Sequence, residues 1–134
     1  YIYHEILCKN LSGEKLADAF MANGANPEDY VIADTGSGNF AINDFHTFGW
    51  NIRKTFSGKT GGKDRNYSFR WLQTLDKIVI DPERCPVAAE EFLNYEYAKD
   101  KDGNVLSGYP DGQPDHVIDA VRYALEQVYR RSGM

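Results

Sequence analysis

The 134-residue sequence contains few cysteines and no long hydrophobic run. Cys8 and Cys85 are too few for a disulfide framework, and their spacing matches no zinc module. We expect both to be buried free thiols in a reducing cytosol. No apolar stretch approaches the roughly 20 residues that a membrane-spanning helix needs, and no secretory signal opens the chain. These absences argue against secreted disulfide-rich domains and membrane proteins, and they predict a cytoplasmic location.

Hydrophobic residues make up 42% of the sequence and aromatic residues 13%, which are the proportions of a folded protein. This length and composition predict a single domain over residues 1–134. Strand-like runs alternate with helix-like segments, so we expect an α/β architecture with some parallel pairing. The strand-like runs are YIYHEILCK (1–9), YVIAD (30–34), IRKTF (52–56) and KIVI (77–80).

The helix-like segments carry recognisable start and stop signals. Ser12 is a predicted N-cap for a first helix that ends near Gly24. Pro114 suits the first position of the last helix, which we expect to run to about Arg130. The apolar stripe of that helix is Val117, Ile118, Val121 and Leu125. Further helices are expected over 40–48, after Asp64, and from Pro86 onward.

Positive charge is concentrated in one segment, although the net charge of the chain is −5. Between Arg53 and Arg70 there are six basic residues and one acidic residue, so this segment is +5 and the rest of the chain is −10. Such a run is either a solvated loop or a phosphate-binding patch. The basic residues are Arg53, Lys54, Lys59, Lys63, Arg65 and Arg70.

Two short segments resemble known binding motifs but depart from each motif at a required position. SGKT (57–60) ends like a nucleotide-binding P-loop, but Arg53 stands where that motif needs a glycine. DKDGN (100–104) resembles part of an EF-hand, but its glycine is at the wrong loop position. A hairpin turn at Asp102 and Gly103 explains the second fragment better.

Asp34, His116 and Asp119 form the informative constellation. Asp34 follows a predicted buried strand, and open α/β sheets place their sites at such strand ends. His116 and Asp119 are three residues apart on a predicted helix and therefore share a face. Two carboxylates with an imidazole suit Mg²⁺ or Mn²⁺, and two such ions can cleave a phosphodiester. Capping of the helix is the alternative explanation, since acids at helix starts are common.

The C-terminal part of the sequence closely resembles a known family. EEFLNYEYAKDKDGNVLSGYPDGQPDHVIDAVRYAL (90–125) is similar to the end of the nuclease domain of phage terminase large subunits. YVIADTGSG (30–38) resembles the second acidic strand of that family, and IVIDPERC (78–85) its last strand. The resemblance extends over essentially the whole chain.

The resemblance implies a mixed RNase H-like sheet flanked by helices and a metal-dependent endonuclease that cuts concatemeric double-stranded DNA during packaging. It implies that Asp34 and Asp119 bind two Mg²⁺ or Mn²⁺ ions, and that His116 is a ligand or an acid/base group. The hairpin and the basic residues Lys54, Lys59, Lys63 and Arg65 would lie beside DNA. The implied partners are the terminase ATPase domain, the small subunit and the portal protein.

One departure from the family concerns its first, central strand. That strand carries an aspartate in a G-x-D-x-G-like stretch, and no such stretch precedes Tyr1. We therefore expect an N-terminally truncated nuclease domain that lacks the first strands of the family fold, and the absence of that aspartate leaves open whether the chain is active alone. An exposed strand edge could also pair two chains into a homo-oligomer. The remaining alternatives are a Holliday-junction resolvase of the RuvC type and a non-catalytic remnant that binds DNA or portal protein.

Overall fold

The computed structural model describes residues 1–9, 11–34, 39–56, 65–95, 99–105 and 114–131. No helix within these ranges is both long enough and apolar enough to cross a membrane. A single domain stays a prediction from sequence, and in the structure the chain divides into two compact units. Unit 1 comprises Tyr1–Glu5 and Ile78–Asp119, and unit 2 comprises Ile6–Lys77 and Ala120–Met134. The elements are α1 (Gly13–Ala22), β1 (Tyr30–Ala33), α2 (Asn39–Thr47), β2 (Asn51–Lys54), α3 (Arg65–Gln73), α4 (Pro86–Asn94), α5 (His116–Ala124) and α6 (Glu126–Arg131).

Unit 2 contains two parallel strands, as the sequence predicts. β1 pairs with β2 so that Val31 lies opposite Ile52, and the intervening α2 supplies the crossover that a parallel pair needs. α1 begins at the predicted Ser12 cap and contacts α2. The first residue of α1 is Gly13, where a Cβ atom would overlap the carboxyl group of Asp44 on α2. The glycine therefore permits the close approach of the two helices.

An aromatic cluster fills the space between these helices and the strands. The rings of Phe20 and Phe45 meet edge to face with 5.2 Å between their centroids, and Trp50 lies 5.2 Å from Phe45. This geometry contributes attraction beyond the burial of apolar area. The buried members of the cluster are Ala17, Ile42, Phe45, Trp50 and Ile52.

A second cluster joins α3 to α6. Tyr129 is fully buried beside Trp71, with 5.3 Å between the ring centroids, and its hydroxyl donates to the carbonyl of Arg122 at 2.8 Å. Burial raises the pKa of the Tyr129 phenol, and the nearby carboxylate of Glu126 adds to this shift. The buried Arg122 guanidinium donates to the Ser68 hydroxyl at 2.8 Å. α3 is thus joined to the C-terminal helices by both apolar packing and polar bonds.

Unit 1 begins with an extended segment that forms a parallel bridge between Ile2 and Ile80. Cys85 is completely buried, and burial raises the pKa of its thiol, with the Glu5 and Asp81 carboxylates adding to the shift. α4 starts with Pro86, as predicted.

The hairpin turn is also confirmed. Lys99 and Val105 form an antiparallel bridge, and Gly103 has a φ of 83°, which favours glycine. The Asp100 carboxylate accepts hydrogen bonds from the backbone N–H groups of Asn104 and Asp102, each at 2.9 Å. The bonds from Asn104 lower the pKa of Asp100.

Several sequence predictions are wrong in detail. The last helix begins at His116, after Pro114, and it is divided at Leu125 into α5 and α6. Cys8 is exposed, because the extended segment that carries it is not covered. Neither 1–9 nor 77–80 forms a strand, since each contributes only a single bridge residue.

Candidate functional site

Asp34 directly follows β1, at the carboxyl edge of the parallel pair, as predicted. Its side chain is half-buried. The Thr55 N–H donates to the Ala33 carbonyl at 2.9 Å, so pairing continues for one residue beyond β2. Extension of the β1–β2 register by one residue places Thr55 opposite Asp34, on the same face of this edge.

The hydroxyl of Thr55 is a second candidate oxygen ligand for a cation at this edge of the sheet. Thr55 is 4% exposed, and its Oγ1 has no hydrogen-bond partner among the described residues. A buried hydroxyl without a hydrogen-bond partner costs free energy, and a ligand bound beside Thr55 would remove that cost. Carboxylate and hydroxyl oxygens are ligands that Mg²⁺ and Mn²⁺ accept. The residues around Asp34 therefore fit a hard divalent cation.

His116 and Asp119 lie in the first turn of α5. His116 is exposed and Asp119 is half-buried. The Asp119 N–H donates to the Asp115 carbonyl at 2.8 Å, which fixes the start of the helix. The apolar stripe of α5 is confirmed, with Ile118 only 2% exposed.

The start of α5 is held by a carboxylate that the sequence analysis missed. Glu91, on α4, is 6% exposed, and its Oε2 accepts hydrogen bonds from Val117 N–H at 2.8 Å and Ile118 N–H at 3.0 Å. The first N–H groups of a helix have no partner within the helix, so this carboxylate satisfies two of them. Glu91 belongs to a helix with an ordinary amphipathic pattern, and no sequence signal distinguishes it from Glu90.

The predicted metal ligands are divided between the two units. Asp34 belongs to unit 2, whereas His116 and Asp119 belong to unit 1. Within the described ranges, no group of three or more His, Cys, Asp or Glu side chains is placed to hold a metal. The joint metal site stays a prediction from sequence.

Two of the four predicted DNA-binding residues lie in the described part of the chain. Lys54 is exposed at the end of β2, and Arg65 is half-buried at the start of α3. Lys59 and Lys63 lie outside the described residues.

An open depression of about 630 Å³ lies beside Lys54 and includes polar residues that the sequence analysis did not select. The Nε2–H group of His46 donates to the Ile52 carbonyl at 2.8 Å, so the imidazole is oriented by β2. The polar side chains that line the depression are those of Asn43, His46, Asn51, Arg53 and Lys54.

Phe56, the last described residue before Ser57, is held by α6. Its N–H donates to both carboxylate oxygens of Glu126, at 2.9 and 3.2 Å. The Arg130 guanidinium lies 3.8 Å from the centroid of the Phe56 ring, which is a close cation–π contact. The backbone at Phe56, which lies within the basic segment, is therefore held by α6.

The chain is similar to a known family and to the large terminase of one bacteriophage. A family model described as a terminase RNase H-like domain matches residues 31–127, which include Asp34, His116 and Asp119. The terminase large subunit of Bacillus phage SPP1 is 40% identical over 83 residues, which are 62% of this chain and 19% of that protein. The crystal structure of the g2p (large terminase) nuclease domain from bacteriophage SPP1 with bound Mn has 32% sequence identity and a TM-score of 0.76, and the match covers 94% of this chain and 70% of that one. The chain thus spans less than a fifth of the length of the curated relative that it matches.

Proposed function

Because the chain belongs to the family of terminase RNase H-like domains and has their α/β fold, we propose that it is a metal-dependent endonuclease domain that cuts concatemeric double-stranded phage DNA during packaging. The observation that carries this proposal is the similarity to a nuclease domain with bound Mn, at 32% identity over 94% of the chain. The proposal of a resolvase is set aside, since the matched family is that of terminases.

The proposed metal ligands are Asp34, Asp119 and His116. What supports them is their donor chemistry, the half-buried position of both carboxylates and the buried hydroxyl of Thr55 beside Asp34. A pair of Mg²⁺ or Mn²⁺ ions would supply an activated water and stabilisation of the leaving oxygen. The carboxylates of Asp34 and Asp119 supply the negative charge, while the exposed His116 imidazole is available as a ligand or to move a proton.

The proposed DNA contacts are phosphate contacts from the basic segment. Lys54 is exposed at the carboxyl end of β2, the same sheet edge that presents Asp34, which supports a role for this edge in binding the substrate. Contacts of this kind are tolerant of sequence and sensitive to salt. Lys54, Lys59, Lys63 and Arg65 are the proposed contributors.

The proposed partners follow from the terminase family. They are the terminase ATPase domain, the small subunit and the portal protein, in the cytoplasm of the host cell. A homo-oligomer formed by strand pairing is the further proposal for this chain.

Two measurements on the parent chain and Asp119→Ala test this function. We expect Mn²⁺ to bind to the parent in calorimetry, and we expect Asp119→Ala to lose this binding together with any Mn²⁺-dependent cleavage of linear duplex DNA. Glu90→Gln, which removes an exposed carboxylate of unit 1, is the matched control and should behave like the parent. Mn²⁺ binding and cleavage that survive in Asp119→Ala would contradict the proposal, and binding of Mn²⁺ without cleavage would favour the non-catalytic alternative.

The DNA surface is tested by charge reversal at Lys59 and Lys63. We expect the affinity for duplex DNA to fall, and the slope of log affinity against log salt to decrease by about 0.9 for each phosphate that the variant no longer neutralises. Charge reversal at the exposed Lys15 of α1 is the control. An unchanged affinity would identify the basic segment as a solvated loop.

A further inference from the structure

Glu91 connects the last turns of α4 to the first turn of α5. Its carboxylate is buried, and one oxygen accepts from two consecutive backbone N–H groups, those of Val117 and Ile118. These two residues lie between His116 and Asp119 in the sequence. The groups that hold the helix start and the side chains proposed to bind metal therefore occupy the same turn.

The bonds to Glu91 are stronger than an ordinary helix cap. Hydrogen bonds to an ionised acceptor are roughly twice as strong as neutral ones, and the negative charge also interacts favourably with the positive end of the helix dipole. Because Glu91 is itself part of a helix, it holds the start of α5 at a fixed place relative to α4. A serine or aspartate cap within the α5 segment would satisfy the same N–H groups but would not attach the helix to a neighbour.

α4 is held in the same way. The two carboxylate oxygens of Glu5 accept hydrogen bonds from Val87 N–H and Ala88 N–H, each at 3.0 Å. Unit 1 thus contains two connected carboxylate caps. Glu5 caps α4, and Glu91 on α4 caps α5.

We propose that Glu91 is a positioning residue for the metal ligands His116 and Asp119. This inference rests on the proposed function, because it assigns a role to Glu91 only if His116 and Asp119 bind metal. Metal affinity depends on how well the ligands are held in place before the ion arrives, and loss of a supporting hydrogen bond typically costs about 10- to 100-fold in affinity. Glu91 acts through the backbone of α5 and does not itself bind the ion.

The test compares three substitutions in the full chain with Mn²⁺ as the probe. Glu91→Leu removes the acceptor at similar volume, whereas Glu91→Gln keeps an amide oxygen that can accept from the same N–H groups. Leu72→Ala truncates a buried side chain in the cluster around Tyr129 in unit 2, whereas His116 and Asp119 belong to unit 1, and is the control for loss of stability. Mn²⁺ binding is measured by calorimetry, and exchange of the Val117 and Ile118 amide hydrogens is measured without metal.

We expect Glu91→Leu to weaken Mn²⁺ binding about 10- to 100-fold and to speed exchange at both amides. Glu91→Gln should restore most of the affinity, and Leu72→Ala should leave both measurements close to the parent. Equal weakening by Glu91→Leu and Leu72→Ala would overturn the proposal, because the loss would then be a general effect of instability. Unchanged Mn²⁺ affinity or unchanged amide exchange in Glu91→Leu would overturn it as well.

Failure of the proposed nuclease function can be distinguished from failure of the proposed role of Glu91. If the parent binds no Mn²⁺ in a manner that depends on Asp119, His116 and Asp119 are not ligands, and Glu91 is only a helix cap. If that binding is present in the parent and insensitive to Glu91→Leu, the function stands and the positioning role is wrong.

Discussion

The two units are stabilised by different kinds of interaction. In the described part of unit 2, most of the buried side chains are large and apolar or aromatic, and they form two clusters around Phe45 and Tyr129. In unit 1, the buried apolar residues among those described are Cys85, Ala88 and Ile118, and two glutamate carboxylates bind the starts of two helices. Unit 2 therefore depends mainly on apolar packing, whereas unit 1 has few buried apolar residues among those described and has two glutamate carboxylates bound to its helix starts.

The units also differ in charge. Unit 1 has eleven acidic and three basic residues and a net charge of −8, whereas unit 2 has twelve basic and nine acidic residues and a net charge of +3. An acidic unit attracts divalent cations, and a basic one attracts phosphates. The proposed ligands His116 and Asp119 lie in the acidic unit and the proposed DNA contacts Lys54 and Arg65 in the basic one, whereas the proposed ligand Asp34 lies in the basic unit.

The largest expected effect is that of Phe45→Ala in unit 2. Phe45 is 2% exposed and contacts Phe20 and Trp50, so its truncation leaves a cavity in the aromatic cluster. We expect a loss of about 3–5 kcal/mol in the free energy of unfolding, measured in urea. Leu93→Ala on α4, where the side chain is 83% exposed, is the control and should have little effect. A small effect of Phe45→Ala would contradict the view that unit 2 depends on apolar packing.

Glu5→Ala in unit 1 is expected to have a smaller effect. It removes the acceptor for Val87 N–H and Ala88 N–H at the start of α4, which should cost about 0.5–2 kcal/mol, as for other helix caps. Amide hydrogen exchange should become faster at these two residues. Glu83→Ala removes an exposed carboxylate of the same unit and serves as the control. Equal results for the two variants would show that unit 1 does not rely on the Glu5 carboxylate.

Tyr129→Phe is expected to have the smallest effect on the free energy of unfolding and to change how that free energy depends on pH. Losing the hydrogen bond to the Arg122 carbonyl should cost about 1 kcal/mol near neutral pH. Because the phenol pKa is raised in the folded state, the folded chain keeps this proton when the unfolded chain loses it near pH 10. The parent should therefore lose stability as the pH rises above about 10, and the variant should lose less. Parallel stability curves for both proteins above pH 10 would show that the buried phenol is not linked to folding.

The features that could be predicted from the sequence are those that depend on local patterns. The Ser12 cap, Pro86 at the start of α4 and the turn at Gly103 are confirmed, because each depends on a residue whose preference is intrinsic. The expected parallel pairing is found between β1 and β2. The resemblance to the terminase nuclease family is confirmed by the family match over residues 31–127.

The features that could not be predicted depend on residues far apart in the sequence. Glu91 is 26 residues from Val117, and Glu5 is 82 residues from Val87, so neither cap has a local signature. Apolar composition suggests a buried strand at Ile78 and Val79, yet both are partly exposed, because burial depends on neighbours that the run itself does not specify. The joint metal site involving Asp34 and Asp119 stays a prediction.

The contacts of α3 and α6 link two parts of unit 2 that are distant in the sequence. Phe56 is bound by Glu126 and Arg130, and the α3 residues Ser68 and Tyr67 are bound by Arg122 and the carbonyl of Tyr129. Phe56, shortly after the end of β2, and the first turn of α3 are thus attached to the same C-terminal stretch of unit 2. A substitution in that stretch is therefore expected to affect both attachments together, and with them the neighbours Lys54 and Arg65 that are proposed to contact DNA.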